Sequence, residues 1–124
     1  MNTVITIMQI LLALLFTSGG LFKLTRPYAK FVTMPFQAWA NDFQPEHVRL
    51  IGVIELAAAV SMFALLLLPS LMPLTPLVAV GMALVMAGAM ATHLRRSEYA
   101  NMVGNSVWLG LALFVAYGAL VGAA

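Results

Sequence analysis

The sequence contains no cysteine. That absence removes disulfide staples, thiolate metal sites and thiol–disulfide exchange from the chemistry open to this chain. Charge is scarce as well: Asp, Glu, Lys and Arg make up 8% of the 124 residues, against roughly a quarter in an ordinary soluble domain. Too few polar side chains remain to cover a surface that faces water. Hydrophobic residues supply 63% of the chain and the mean hydropathy is +1.01, so lipid is the solvent in which this fold must be read. The formal charge of +2 is a small excess gathered near one end of the predicted helices. It reads as a topology signal and excludes a nucleic-acid surface.

Four apolar runs are present, at about 4–24, 48–68, 75–92 and 103–122. Each is close to the roughly 20 residues that a helix rising about 1.5 Å per residue needs to cross a bilayer. Ser18-Gly19-Gly20 near the end of the first run offers the small residues of a signal cleavage site. No Lys or Arg precedes that run, and it stays apolar to Lys23, so it is read as a retained helix. "PSLMPLTP" separates the second run from the third through missing N–H donors and fixed φ, with Pro76 in the first turn of the third, where proline is tolerated. Four spans with short connections predict a single domain, 1–124. It is an all-α integral membrane protein, an antiparallel four-helix bundle, because backbone polar groups in lipid must be satisfied within each helix.

The segment 27–44 between the first two spans is too polar to cross and rich in aromatics. Tyr28, Val32, Phe36, Trp39 and Phe43 recur at spacings of three and four, the period of a helix face, with Pro35 expected to kink it. Two uses fit: an anchor at headgroup depth, or a lid formed by Tyr28, Phe36 and Trp39. The Lys and Arg residues lie on one side of the four spans, in the loops holding Lys23 to Arg49 and His93 to Asn101. The positive-inside rule therefore places these loops in the cytoplasm and both termini on the extracytoplasmic side. In the third span Ala79, Ala83, Ala87 and Ala91 form a small-residue ridge, suited to helix packing inside the bundle or to a homo-oligomer seam.

One ionisable residue interrupts the second span. Glu55 is costly there without a partner and should face the bundle interior. Lys23 ends the first span on the same side, His93 ends the third, and Asn101 and Asn105 open the fourth one turn apart. Every span thus brings a polar group to one layer. On the first span Gln9, Ala13, Thr17 and Gly20 share the face that leads to Lys23; on the fourth, Asn105, Trp108 and Ala112 share another. The layer is either a buried ion pair with amides that fixes helix order, or a ligand site. Glu55 and His93 are too few to predict a metal centre.

The Gly-x-x-Lys pattern at Gly20 and Lys23 in "SGGLFKL", the Gly-x-x-Glu pattern at Gly52 and Glu55 in "IGVIELAAAV", and His93 in "AGAMATHLRR" resemble the DoxX-like family of small bacterial membrane proteins. The likeness covers nearly the whole chain. It implies a four-helix fold in the bacterial cytoplasmic membrane. The namesake resembles a subunit of a thiosulfate:quinone oxidoreductase, other members are linked to oxidative-stress complexes, and animal relatives look like receptor assembly factors. The first expectation is therefore a quinone or other lipid-soluble ligand at the polar layer, in a chain that is at most an accessory subunit of a quinone-linked oxidoreductase with partner subunits. The alternative is a non-enzymatic scaffold or assembly factor acting through helix contacts. Solute transport is disfavoured by the absence of an internal inverted repeat and of long helix interruptions.

Overall fold

A computed structural model describes residues 3–122. The chain forms α1 (Thr3–Thr25), the single turn α2 (Tyr28–Phe31), a 3-10 segment Ala38–Asp42, α3 (Pro45–Leu67), a second 3-10 segment Pro69–Leu74, α4 (Thr75–Arg95) and α5 (Tyr99–Gly122). Among the described residues there is no strand. The four long helices are each apolar and long enough to span a membrane. The expected exterior position of the two termini concerns residues 1–2 and 123–124, which lie outside the described residues.

Prolines set most of the boundaries. α1 stops before Pro27, since the residue ahead of a proline is pushed out of the helical region. α3 begins with Pro45 in its first turn, after an extended Gln44, three residues ahead of the expected start at 48. It ends before Pro69, and Pro76 then sits in the first turn of α4. The end of α4 has no glycine or proline. There Ser97 takes the left-handed φ of 55°, while the Glu98 N–H donates to His93 O at 2.9 Å and the Ser97 N–H to Leu94 O at 3.2 Å. This is a Schellman turn with serine where glycine is usual, and it folds Glu98 back over the last turn of α4.

The closest pairings are α1 with α3 and α4 with α5, and the ring is closed by α1–α5 and α3–α4 contacts. Leu12, Phe16, Met62, Met82 and Val115 fill the centre. Large apolar side chains such as Leu67, Leu77 and Leu84 point outward. That distribution suits hydrocarbon and would be a liability in water. The alanine ridge divides: Ala79 and Ala83 are buried inside the bundle, while Ala87 and Ala91 are exposed. Only its later half remains open to a second chain.

Two glycines set the α1–α3 seam. A methyl group built on Gly20 would lie 2.8 Å from Gly52 O, and one built on Gly52 would lie 3.1 Å from Gly20 O and 2.9 Å from Lys23 Cβ. The backbones touch where any side chain would hold them apart. This contact brings the Lys and Glu that follow each glycine by three residues into register across the seam.

The aromatic segment is not one kinked helix. Pro35 has no N–H and disfavours helical geometry at Met34. A β-turn forms in place of a helix, closed by the Gln37 N–H donating to Met34 O at 3.1 Å. Pro35 and Phe36 occupy its centre, with Phe36 at φ 66°. A positive φ at the third position marks a type II turn, normally a place for glycine or asparagine. After it, Ala40 packs with Phe31 and Val48 in a small second core, against which Tyr28, Val32, Trp39 and Phe43 lie. Phe36, expected on the same face, is instead exposed.

Candidate functional site

Lys23 Nζ lies 2.7 Å from Glu55 Oε1, and the two side chains are 11% and 8% exposed. Burial of this kind is tolerable because each charge is compensated by the other. The pair forms part of the wall of a cavity of about 590 Å³. All four long helices reach this cavity: Lys23 from α1, Glu55 from α3, His93 from α4, and Asn101 and Asn105 from α5, with Phe36 and Trp39 from the segment above. Ile51, Val85, Met86 and Trp108 supply apolar wall between them. Gly19 lies beside the pair, where an added methyl group would be 2.9 Å from Glu55 Oε2.

The polar groups do not all meet one another. His93 pairs with Glu98 and not with Glu55: its Nδ1 is 2.9 Å from Glu98 Oε1. The other ring nitrogen, Nε2, makes no hydrogen bond to a described residue, and the ring lines the cavity. The Asn101 amide donates to Phe36 O at 2.8 Å, which ties the strained turn to α5. Asn105 lines the cavity without a hydrogen bond among the described residues. No three metal-ligating side chains converge among them either. Along α1, Gln9 is fully buried and donates to Met62 Sδ at 3.6 Å. The Thr17 hydroxyl is used locally, donating to Ala13 O at 2.7 Å.

The aromatic segment covers the site and is held there. The Trp39 ring is 5.6 Å from Lys23 Nζ, within cation–π range, and stands edge-on to His93 at 6.4 Å. Its indole N–H donates to Gln37 Oε1 at 2.9 Å. Tyr28 does not line the cavity. Its hydroxyl bridges the carbonyls of Ala40 and Phe43, at 2.9 and 2.7 Å, and braces the segment from behind.

A latch fixes this cover to the α4–α5 turn. Arg96 Nη1 donates to Asp42 Oδ1 at 2.6 Å, and Arg96 Nε donates to Glu98 Oε2 at 3.1 Å. Asp42 belongs to the cover, and Glu98 also holds His93, so the chain Asp42–Arg96–Glu98–His93 links the outer surface to the cavity wall. Burial works to raise the Glu98 carboxyl; the hydrogen bonds from His93 and Arg96, together with their charges, outweigh it and hold the group below its ordinary value of 4.5. A carboxylate lowered on folding contributes stability above its unfolded value and loses it as pH falls through the lowered folded value. Resistance of the Pro27–Gln44 region to protease should therefore be constant near neutrality and fall in acid below the ordinary carboxylate range. In Glu98→Gln the acid-dependent step should shrink, with weaker protection already at neutral pH.

Sequence reasoning missed Gly19, Glu98, Arg96 and Asp42 as parts of this region. Its one signal for the latch was an acid five residues after His93, which comes close only through the serine-capped turn. The family model described as DoxX-like matches residues 7–115. No curated protein and no solved structure matches the chain at a significant level.

Proposed function

The chain belongs to the DoxX-like family, and from that premise we propose that its cavity binds a quinone or a similar lipid-soluble carbonyl compound, in a small subunit of a redox-associated membrane complex. The observation that carries the reading is the cavity itself: one space of about 590 Å³ in which an apolar wall meets Lys23, Glu55, His93 and Asn105. That volume falls within the roughly 300–1,000 Å³ of small-molecule sites. A flat ring with two carbonyl oxygens needs donors set in an apolar slot. The Lys23 ammonium and the Asn105 amide are such donors, and Trp39 and Trp108 present aromatic surface.

A quinone, when bound, supplies the capacity to take up two electrons and two protons; the electrons would come from a partner subunit. The residues here orient the ring and manage protons. Glu98 accepts from His93 Nδ1–H and so fixes the imidazole, leaving Nε2 to accept a proton when the ring is neutral and to donate one when it is charged. Glu55 is a second site of proton exchange, balanced by Lys23. The cover keeps bulk water from this exchange. The end bearing Lys23 to Arg49 and Arg95 to Glu98 is read as cytoplasmic, in a bacterial inner membrane.

Solvent extraction of the gently purified protein, with mass spectrometry and a redox difference spectrum, tests the reading. A stoichiometric quinone is expected, with at least a tenfold loss in Glu55→Gln, which keeps an oxygen acceptor for Lys23 but not its countercharge, so the comparison is made on protein that elutes as the folded species. The scaffold reading draws its support from the mutual compensation of Lys23 and Glu55. Wild-type and variant proteins that are both folded and both empty would favour it and remove the quinone.

A further inference from the structure

The cavity wall is not equally covered on all sides. Most of its residues are buried or half-buried, but Ile54 is 45% exposed, Leu84 is 69% exposed, and Gly88 is exposed as well. Apart from Phe36 on the cover, these are the exposed members of the wall, and they stand on α3 and α4. Ile54 is nine residues from the start of α3, and Leu84 and Gly88 are eleven and seven from the end of α4. At the helical rise these distances are about 14, 16 and 10 Å, within roughly one helical turn of one another along the bundle.

The other sides of the cavity carry no exposed wall residue apart from Phe36. α1–α3 and α4–α5 are the close pairings. The α1–α5 side of the cavity is walled by Leu15 and Trp108, both half-buried. Toward water stand Trp39, Phe43 and Gln37, fastened by Asn101 to Phe36 O and by Arg96 to Asp42. At the α3–α4 side Gly88 has nothing within 4 Å of where a side chain would begin.

We infer that the cavity opens sideways into the bilayer between α3 and α4 and takes an amphiphile, whose hydrogen-bonding head sits at Lys23–Glu55 and whose hydrocarbon tail lies out past Ile54, Leu84 and Gly88. The inference rests on the reading above that the cavity holds a ligand, and it adds the route and the tail. Small water-borne solutes are excluded by the cover, and a tail-less head would forgo the apolar burial that the gap provides.

The two tryptophans of the chain, Trp39 and Trp108, both line the cavity, which makes their emission a reporter of what enters it. In a Trp39→Phe protein reconstituted into vesicles of phospholipid brominated in mid-chain, Trp108 emission is expected to fall at least twofold relative to unbrominated vesicles. Adding Gly88→Phe, which places a ring in the gap, should cut that quenching by half or more. Gly81→Phe is the matched control: its position on α4 is equally open but does not line the cavity, and it should change nothing. Should Trp39→Phe fail to fold, the same comparison is made with both tryptophans present.

Equal quenching in the Gly88→Phe and Gly81→Phe proteins, or quenching by aqueous iodide and not by brominated lipid, overturns the lateral opening. The extraction result separates the two proposals. A Gly88-dependent response in a protein that extracts empty leaves the opening standing and removes the quinone; a quinone-loaded protein with no Gly88 dependence does the reverse.

Discussion

Lys23→Met is expected to destabilise the folded protein by about 3–5 kcal/mol, the usual result of leaving one member of a buried ion pair without its partner. The geometry leaves Glu55 little alternative. Its carboxylate is nearly sealed from outside, its Oε2 faces Gly19, and the next cation along α1, Arg26, lies over Phe22. Removing both charges together, in Lys23→Met with Glu55→Leu, should restore most of the loss, because two apolar side chains of similar volume can replace a buried pair at little cost. A double-mutant cycle on thermal or denaturant unfolding in detergent measures the coupling. A double variant as unstable as the single one would mean that Lys23 acts by something other than compensating Glu55. The same double variant, if folded, should also fail to retain a quinone, which separates the pair's contribution to the fold from its contribution to the ligand.

Gly52→Leu is expected to be at least as severe. A side chain at this position meets Gly20 O, Lys23 Cβ and Leu24 Cγ from its first carbon onward, and backbone oxygen cannot turn aside as a flexible side chain can. Overpacking of a tight seam typically costs about 1–3 kcal/mol and sometimes more. Here the displacement also draws Lys23 away from Glu55, so the electrostatic penalty adds to the steric one. Loss of the monodisperse folded species in size-exclusion chromatography is the expected readout. Gly81→Leu, on an open face of α4, should leave that species unchanged. A Gly52→Leu protein with an ordinary melting temperature would show that the seam can open without harm.

The four spans were legible because apolar runs bounded by prolines admit one solution in lipid, the helix, and short connections then force alternating directions. Glu55 was legible for a related reason: a carboxylate in such a run is conspicuous against its surroundings. Depth supplied only the candidates for its partner, Lys23, His93, Asn101 and Asn105, since all stand at the same end of the bundle; the pairing with Lys23 depends on the α1–α3 seam. Partners that depend on turns were not legible. His93 lines the same cavity as Glu55, but its hydrogen-bond partner could not be read, because Ser97 adopts a conformation that serine rarely takes and swings Glu98 onto it. A glycine at that position would have announced the turn. The aromatic spacing of Tyr28 to Phe43 likewise suggested one amphipathic helix, where Pro35 and Phe36 build a tight turn and send the Phe36 ring away from the others. Periodicity reports a face only where the backbone keeps a single period. The roles of Gly20 and Gly52 needed coordinates, because a sequence does not say which glycines from different helices meet.

The pairing of α1 with α3 also bears on how the protein is made. A nascent chain synthesised as far as Leu67 already contains Lys23, Glu55, Gly20 and Gly52, everything needed to close the first hairpin. Its two charges can neutralise each other before the second half leaves the ribosome, at synthesis rates of about 5–20 residues per second. Insertion can then proceed by electrically silent hairpins and not by lone helices carrying an exposed charge into the bilayer. The latch from Arg96 to Asp42 can form only after α4 is made, and the tie from Asn101 to Phe36 O only once α5 has begun, so the cover is fastened after the first hairpin has closed.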